Sequence, residues 1–549
     1  MIGLHATNKA IFTSTGEIHQ DTPYLQWLCS LDTEAIAYDI DAFVASLCRL
    51  LQFSKDEANI LLEKEQYRFF DEQGNDYLIK YFRGLFIQID INKNFNEHPY
   101  INIVNANQTS YIVTHYKEHE DIADSLSKAY QAYTLALELK DVYQWLGLPS
   151  DSFVSPVSAF IKKYIETTST HIPTVDDMPK EVSQLAWHAS KGGWVECFSM
   201  GHFDNIWDYD LNSAYSFYLS QIPDFRKGEF VQSKTIPDNA TYGVASVYLD
   251  ITARFHPFIT KIGATNYNLN DKYPDIVFLQ ELKVLERHPE LGTFNIEDGW
   301  WWIPNGKQFY PYKGMLNWLN NKKQTSIGLQ KTIIQRIYSG LYGKSLQSVI
   351  KGTNAFFGDY FCPLVGGTVE ALSRITLFET CYNNNIVPLD IRIDGFITDK
   401  ELPLITNNKM GGWKLNFNGK CFIVNNNIIV LDKENPQRGE FALTYDWLLN
   451  QIKEKPKSQA YVLHKFAPIK LSQTLNDFDF ERLGEITDMS YTIYIGQDNK
   501  RDFLTRPKNG QELLNKHHYS IPLLYSFVNQ RDNLIKTRNS LFGESLAGG

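Results

Sequence analysis

One stretch, residues 207–216, constrains the fold more than any other part of the chain, and it reads Trp-Asp-Tyr-Asp-Leu-Asn-Ser-Ala-Tyr-Ser. Its first half alternates apolar and acidic residues, which predicts a β-strand that ends near Asp210 and Leu211. A polar turn follows, and a helix is predicted to begin at Ala214 with Ser213 as its cap. A carboxylate at a strand end suits a divalent cation, and backbone N–H groups at a helix start suit a polyphosphate.

A second stretch, residues 388–398, predicts a β-hairpin. Apolar residues lie on both sides of Asp394 and Gly395, and an Asp-Gly pair between two such runs is a strong hairpin signal. The bend is therefore expected at these two residues. The Asp394 carboxylate would then face that of Asp210.

Between these two stretches, residues 331–344 predict a helix with a polar face. Lys331, Gln335, Ser339 and Tyr342 recur at helical spacing on one side. A cationic and polar face that ends in an aromatic ring suits a triphosphate and a base.

Taken in chain order, residues 207–216, 331–344 and 388–398 resemble motifs A, B and C of family B DNA polymerases, in particular the phage and plasmid branch that includes the protein-primed enzymes. Motif A there reads Asp-x-x-Ser-Leu-Tyr-Pro, and this chain has Asp210-Leu-Asn-Ser-Ala-Tyr215-Ser. Motif B reads Lys-x-x-x-Asn-Ser-x-Tyr-Gly, and this chain has Gln335 at its start and Tyr342-Gly at its end. The resemblance covers roughly residues 150–435, which is more than an isolated motif.

Motif C of the family reads Asp-Thr-Asp-Ser, and this chain has Arg392-Ile-Asp394-Gly. The second Asp, which holds metal in the family, is kept, and Arg392 replaces the first. Strand alternation puts Arg392 and Asp394 on the same face. We therefore expect Arg392 to pair with a neighbouring acid, such as Asp208 or Asp390, or to contact the primer phosphate.

The resemblance implies roles for individual residues. Asp210 and Asp394 would be catalytic and, with the Leu211 carbonyl, would bind two Mg²⁺ ions, with Mn²⁺ as an alternative. The implied nucleotide-binding residues are Asn212, Ser213, Ala214, Tyr215, Lys331, Gln335, Arg336, Ser339 and Tyr342. The implied DNA-binding residues are Gly192, Gly193, Lys344, Lys420 and Lys465, the two glycines because they resemble the family's Tyr-x-Gly-Gly element.

The expected fold class is α/β (α+β), a polymerase right hand with palm, fingers and thumb. Its parts would be an N-terminal domain (1–150), linker and palm (151–310), fingers (311–350), palm (351–435), and thumb with a C-terminal tail (436–549). The N-terminal domain is expected to be exonuclease-like or replaced. Asp32-Thr33-Glu34 resembles the Asp-x-Glu of a family B exonuclease, but no partner motifs follow it, so weak or absent proofreading is expected.

The amino-acid composition limits the kinds of partner that the protein is expected to bind. The net charge of −10 argues against a generic basic coat for nucleic acid, although it allows a local basic channel. Six scattered cysteines form no zinc pattern, and no apolar run is long enough to span a membrane, so a cytoplasmic protein is expected. The partners implied by the resemblance are a DNA template and primer and dNTPs, with a terminal protein or another replication protein as a further candidate.

Two other functions stay open at the level of sequence. The replacements at Gln335 and Arg392 also fit a polymerase descendant that binds nucleic acid without catalysis. A polymerase-fold enzyme that makes RNA or primers would carry the same motifs. The hypothesis favoured here is a DNA polymerase that transfers nucleotides to a primer by a two-metal mechanism.

Overall fold

The computed structural model describes residues 2–7, 9–20, 22–31, 35–71, 73–82, 86–92, 100–105, 122–149, 156–351, 354–407, 409–433, 443–464, 466–468, 486–488 and 490–530. Asp32, Glu34 and Lys465 lie outside these ranges, so the predictions that concern them stay predictions. The chain divides into two compact units. The first comprises residues 1–163, 326–334 and 464–491, and the second comprises the remainder.

The first unit is built on a sheet that has eight strands in the described residues, in the order β3-β2-β1-β4-β8-β7-β6-β5. These strands are β1 (Ile2–Ala6), β2 (Ile11–Thr13), β3 (Ile18–His19), β4 (Ala35–Ala37), β5 (Gln66–Phe70), β6 (Asp76–Phe82), β7 (Phe86–Asn92) and β8 (Tyr100–Asn105). The helices that begin in this unit before residue 163 are α1 (Tyr24–Ser30), α2 (Ile40–Leu50), α3 (Lys55–Lys64), α4 (Ile122–Trp145) and α5 (Pro156–Thr168). The unit also contains the paired strands β24 (Phe466–Pro468) and β25 (Ile486–Asp488).

Helix α4 packs very closely on strand β1 at Gly3. A Cβ atom built on Gly3 would lie 2.0 Å from the Ala129 carbonyl oxygen, so no larger residue fits there without a shift. The apolar residues of β1, β4 and α2 are buried in one core that includes Leu4, Ala37 and Phe43. The helical and extended patterns of this region therefore fold around a single sheet.

The second unit contains a sheet of twelve strands in the described residues, in which β11-β16-β12-β15-β28-β10-β20-β19-β9 form the main path. Strands β21 and β22 extend from β10, and β27 pairs with β28. The strands on the main path are β9 (Trp194–Cys197), β10 (Ser199–Leu211), β11 (Gly228–Gln232), β12 (Tyr242–Ile251), β15 (Leu269–Phe278), β16 (Gly292–Pro304), β19 (Asp390–Ile393), β20 (Gly395–Thr398) and β28 (His518–Leu524). The strands off it are β21 (Trp413–Asn425), β22 (Ile428–Leu431) and β27 (Arg501–Phe503).

Smaller ribbons and helices complete this unit. The ribbons are β13 (Thr260–Ile262) with β14 (Thr265–Tyr267), β17 (Ser348–Lys351) with β18 (Asn354–Phe357), and β23 (Ala460–Leu463) with β26 (Tyr491–Tyr494). The helices are α6 (Lys180–Ala189), α7 (Ala214–Leu219), α8 (Leu279–Arg287), α9 (Pro311–Thr325), α10 (Gly328–Lys344), α11 (Pro363–Asn383), α12 (Tyr445–Glu454) and α13 (Gly510–Asn515). Helix α10 begins in residues of the first unit and continues in the second.

The three adjacent tryptophans of β16 belong mainly to the core. Trp301 and Trp302 are fully buried, and the Trp301 indole N–H donates a hydrogen bond to the Ser233 carbonyl at 2.9 Å. Trp300 is partly exposed. Burial of two large rings, each with its N–H satisfied, is what a sheet core requires.

We expect Trp301→Ala to lower the free energy of unfolding by about 3–5 kcal/mol, because it leaves a cavity and an unpaired carbonyl group. Trp300→Ala is the matched control on the same strand, and its cost should be about 1–2 kcal/mol, since less apolar surface is lost. Thermal and urea unfolding of both variants tests this. Equal stability of the two variants would show that Trp301 is not a core residue.

Candidate active site

Strand β10 and the β19–β20 hairpin bring two acidic residues together. β10 pairs antiparallel with β20, with Asp210 opposite Gly395. The Leu211 N–H donates a hydrogen bond to the Asp394 carbonyl at 2.8 Å. A Cβ atom built on Gly395 would lie 2.6 Å from the Tyr209 carbonyl oxygen, so a glycine is what allows the strands to approach this closely. The predicted strand, the helix α7 and the hairpin are all present.

The carboxyl groups of Asp210 and Asp394 are in hydrogen-bonding contact. Burial, followed by the negative charge of Asp210, raises the pKa of Asp394 to about 6. The Lys414 ammonium group lies 2.6 Å from Oδ2 of Asp210. Two acids and one cation therefore share this end of the sheet, and the sequence did not single out Lys414.

The hairpin bend lies one residue earlier than the sequence predicted. Arg392 pairs with Gly395, so the two turn residues are Ile393 and Asp394, and Gly395 begins the next strand. Ile393 has φ of +59°, a left-handed conformation that is rare and unfavourable for a β-branched residue. This strained turn sets the direction of the Asp394 carboxylate, and strain of this kind concentrates at functional sites.

The same turn explains where Arg392 points. Its Nε donates to Asp390 at 2.9 Å, and its Nη2 donates to the Asn426 carbonyl at 2.9 Å. The expectation that Arg392 pairs with a neighbouring acid is thus confirmed for Asp390. Strand alternation does not relate Arg392 to Asp394, because β19 ends at the left-handed Ile393 and Asp394 lies in the turn that follows.

Ser213 does not cap helix α7 as the sequence predicted. It has φ of +54°, and its side chain makes no capping hydrogen bond. A capping residue has an extended backbone, and the left-handed conformation of Ser213 is not of that kind. Neighbouring Asn212 is held in place by other contacts, because its side-chain amide donates to the Asn407 carbonyl at 2.6 Å.

Two buried charged side chains, Glu370 and Arg374, hold the Gly192 backbone beside this site and are called the clamp below. The Gly192 N–H donates to Glu370 at 2.8 Å, and the Gly192 carbonyl accepts from Arg374 at 2.7 Å. Arg374 also pairs with Glu281 at 2.9 Å, and all three charged side chains are buried. Glu370 and Arg374 are four residues apart on α11, so they lie on one face of that helix.

The clamp also reaches two tyrosines. The Tyr342 hydroxyl donates to Glu370, and the rings of Tyr342 and Tyr215 lie 4.4 Å apart between centroids. Burial and the Glu370 carboxylate raise the pKa of both hydroxyls. A Cβ atom built on Gly193 would lie 2.9 Å from the Tyr215 hydroxyl. The loop that contains Gly192 and Gly193, the glycine loop, therefore packs directly against the Tyr215 side chain. Tyr215, Tyr342 and the two glycines therefore form one assembly.

The other residues predicted to bind nucleotide or DNA are described one by one below. Lys331, Gln335 and Ser339 are exposed on α10, as predicted for one polar face, and Arg336 is partly exposed. Ala214 is buried at the start of α7, Lys344 donates to Gln347 at 2.8 Å, and Lys420 is exposed on β21. Glu370 and Arg374 were missed, although two charges four residues apart in an apolar helix are a readable signal. In the described part of the chain, no cluster of three or more His, Cys, Asp or Glu side chains could hold a metal.

Comparisons with known proteins rest on structure. No protein-family model matches the chain, and no curated protein matches it in sequence. The structure of phi29 DNA polymerase complexed with single-stranded DNA superposes on this protein with a TM-score of 0.60 and 12% sequence identity. The superposition covers 90% of this chain and 99% of the phi29 DNA polymerase chain. The chain has the fold of phi29 DNA polymerase. The ternary complex of phi29 DNA polymerase with primer-template DNA and incoming nucleotide gives a TM-score of 0.59 over the same shares, also at 12% identity.

An orthorhombic crystal form of phi29 DNA polymerase matches over 95% of this chain and 98% of its own, with a TM-score of 0.55 and 11% identity. The expected fold class, a mixed α/β polymerase fold, is confirmed, and the likeness to phi29 DNA polymerase extends through both units. Within the described residues, no helix is long and apolar enough to cross a membrane. The boundaries given above for palm, fingers and thumb remain predictions.

The raised pKa of Asp394 makes a prediction about stability. The pKa of Asp in an unfolded chain is about 4, whereas burial and the charge of Asp210 raise the pKa of Asp394 to about 6 in the folded protein. Because the folded state binds this proton more tightly than the unfolded state does, protonation of Asp394 adds to the free energy of unfolding. This contribution is complete below about pH 4 and is lost as the pH rises through about 6. Asn cannot ionise, so Asp394→Asn should be more stable than the wild type by about 1–2 kcal/mol at about pH 8 without metal.

Thermal unfolding in EDTA at about pH 5 and about pH 8 measures this difference, which should shrink at the lower pH. Asp399→Asn, an exposed position directly after β20, is the matched control and should show no gain. A lower stability of Asp394→Asn at the higher pH would contradict the conclusion that the ionised Asp394 carboxylate is destabilised by burial and by the charge of Asp210.

Proposed function

We propose that this protein is a template-directed DNA polymerase that transfers a nucleotide from a dNTP to the 3′-hydroxyl of a primer. The observation that carries the proposal is the contact between Asp210 and Asp394 at the ends of paired strands, in a chain that has the fold of phi29 DNA polymerase. The partners would be template, primer and dNTPs, with a terminal protein or another replication protein as a further candidate.

The Asp210 and Asp394 carboxylates and the Leu211 carbonyl would hold two Mg²⁺ ions, or Mn²⁺ in their place. These are oxygen ligands of the kind that Mg²⁺ prefers. The fit is supported by charge, because two neighbouring carboxyl groups, Asp210 and Asp394, would both be stabilised in their ionised form by a divalent cation. When bound, the ions stabilise the charge that develops on the attacking and leaving oxygens.

Other residues of the second unit would bind the nucleotide. The touching rings of Tyr215 and Tyr342 would border its sugar and base. Asn212 and Ser213 lie between strand β10 and helix α7, and Ala214 begins that helix. The backbone N–H groups of Ser213 and Ala214 would face the phosphates. Arg336, on the accessible side of α10, would contact the phosphates, while Gly192 and Gly193 would approach the DNA.

The first test is extension of a labelled primer by the whole protein with Mg²⁺. Asp210→Asn and Asp394→Asn should each lower the extension rate by about 10³-fold or more, because a neutral amide cannot hold the cations, while DNA affinity stays nearly unchanged. Asp204→Asn is the matched control, since Asp204 lies on the same strand with a side chain that is 82% exposed. Near wild-type turnover of Asp394→Asn would remove it from the site.

The same assay separates the two other functions. A wild-type protein that binds primer-template DNA but does not extend it would indicate a non-catalytic nucleic-acid-binding protein, as the replacements at Gln335 and Arg392 suggest. Synthesis in the absence of a primer would indicate an enzyme that makes RNA or primers.

The second test concerns sugar selection by Tyr215. A ring packed beneath the nucleotide's ribose would exclude a 2′-hydroxyl by shape, and such exclusion fails when the side chain shrinks. Tyr215→Ala should therefore raise the ratio of ribonucleotide to deoxynucleotide insertion by about 10-fold or more. Tyr218→Ala, a buried tyrosine on the same helix, is the matched control for lost packing. An unchanged ratio in folded Tyr215→Ala would contradict this role.

A further inference from the structure

Lys414 is a charged side chain that contacts a proposed metal ligand and that the proposed mechanism does not use. It lies on β21 directly opposite Asp210 on β10, and the two side chains form an ion pair with Nζ 2.6 Å from Oδ2. The ammonium group therefore offsets part of the negative charge at the carboxylate pair.

The backbone around Lys414 is fixed. The Gly412 carbonyl accepts a hydrogen bond from the Asn212 N–H at 2.8 Å. The Trp413 carbonyl accepts one from the Asn407 N–H, also at 2.8 Å. The strand thus holds the Lys414 Cα atom opposite the acids.

The side chain has more freedom than the backbone. It is 41% exposed, and its ammonium group is carried on a flexible four-carbon stem. The group can therefore leave Asp210 without any change in the sheet. A divalent cation between Asp210 and Asp394 would lie within a few ångströms of this ammonium group and would be repelled by it.

We propose that the Lys414 ammonium group is a resident counter-cation of the Asp210–Asp394 pair, which a divalent cation must displace before it can bind. Lys414 is thus a residue that sets the metal affinity of the site. This inference rests on the metal site of the proposed function, and it adds that the site binds metal more weakly than its two carboxylates alone would.

The test measures Mn²⁺ binding to the whole protein by electron paramagnetic resonance, without DNA or nucleotide. Lys414→Met keeps the length of the side chain and removes its charge, so Mn²⁺ should bind about 10-fold more tightly. Lys414→Arg keeps the charge and should bind Mn²⁺ like the wild type. Lys261→Met, which removes an exposed charge from β13 in the same unit, controls for the net charge of the protein.

Thermal unfolding distinguishes displacement from an ordinary surface ion pair. Lys414→Met should unfold at a lower temperature than the wild type in EDTA, because the two carboxylates lose their counter-charge, and should gain more stability than the wild type when Mn²⁺ is added. An equal deficit with and without Mn²⁺ would overturn the proposal. Lys414→Gln repeats both measurements with a polar side chain, so that poor folding of the Met variant does not decide the outcome.

Asp394→Asn separates this inference from the proposed function. If the Mn²⁺ site disappears in Asp394→Asn and Mn²⁺ affinity is unchanged in Lys414→Met, the metal site stands and the role of Lys414 is refuted. If Mn²⁺ binds wild type and Asp394→Asn equally well, the proposed metal site itself fails.

Discussion

Two carboxyl groups held side by side repel each other, and the architecture around Asp210 and Asp394 keeps them together. The antiparallel pairing of β10 with β20 fixes their backbones, with the Leu211 N–H bonded to the Asp394 carbonyl. Burial strengthens the repulsion, because fewer water molecules screen the charges. Burial of the Asp394 carboxyl itself and, after it, the charge of Asp210 raise the pKa of Asp394. The Lys414 ammonium group offsets part of this repulsion, and a divalent cation would offset more.

A second set of buried charges holds the surroundings of the carboxylates in register. Glu370 accepts a hydrogen bond from the Gly192 N–H, and Arg374 donates one to the Gly192 carbonyl, so both peptide groups that flank the Gly192 Cα atom are held. Glu370 also accepts a hydrogen bond from the Tyr342 hydroxyl. Buried charges are destabilising unless they are paired and hydrogen-bonded, and here Arg374 is paired with Glu281. The result is a rigid connection between α11, the glycine loop and the end of α10. Rigid support of this kind is what a site with small geometric tolerance needs.

The sequence predicted those parts of the fold and site that depend on local patterns. Alternation located strand β10, and helical spacing located the exposed Lys331, Gln335 and Ser339 on α10, because burial of one face imposes these periods. The left-handed conformations of Ser213 and Ile393 were not predicted, since neither residue type favours them and the packed sheet imposes them. Lys414 was missed for another reason: its place opposite Asp210 depends on a strand register between distant segments, which no local pattern reports.

Strand β28 has a consequence for how this protein is made. It lies between β15 and β10 and is the strand that joins the two halves of the large sheet, through pairs such as Ser199 with Tyr519 and Leu269 with Leu523. During synthesis, more than 500 residues must leave the ribosome before this strand exists. Until then Leu269 and Asn270 of β15 and Ser199 and Met200 of β10 lack the strand that pairs with them, and unpaired strand edges of this kind recruit other strands. A chain cut short before His518 would therefore carry every proposed catalytic residue and still lack the strand that unites its sheet.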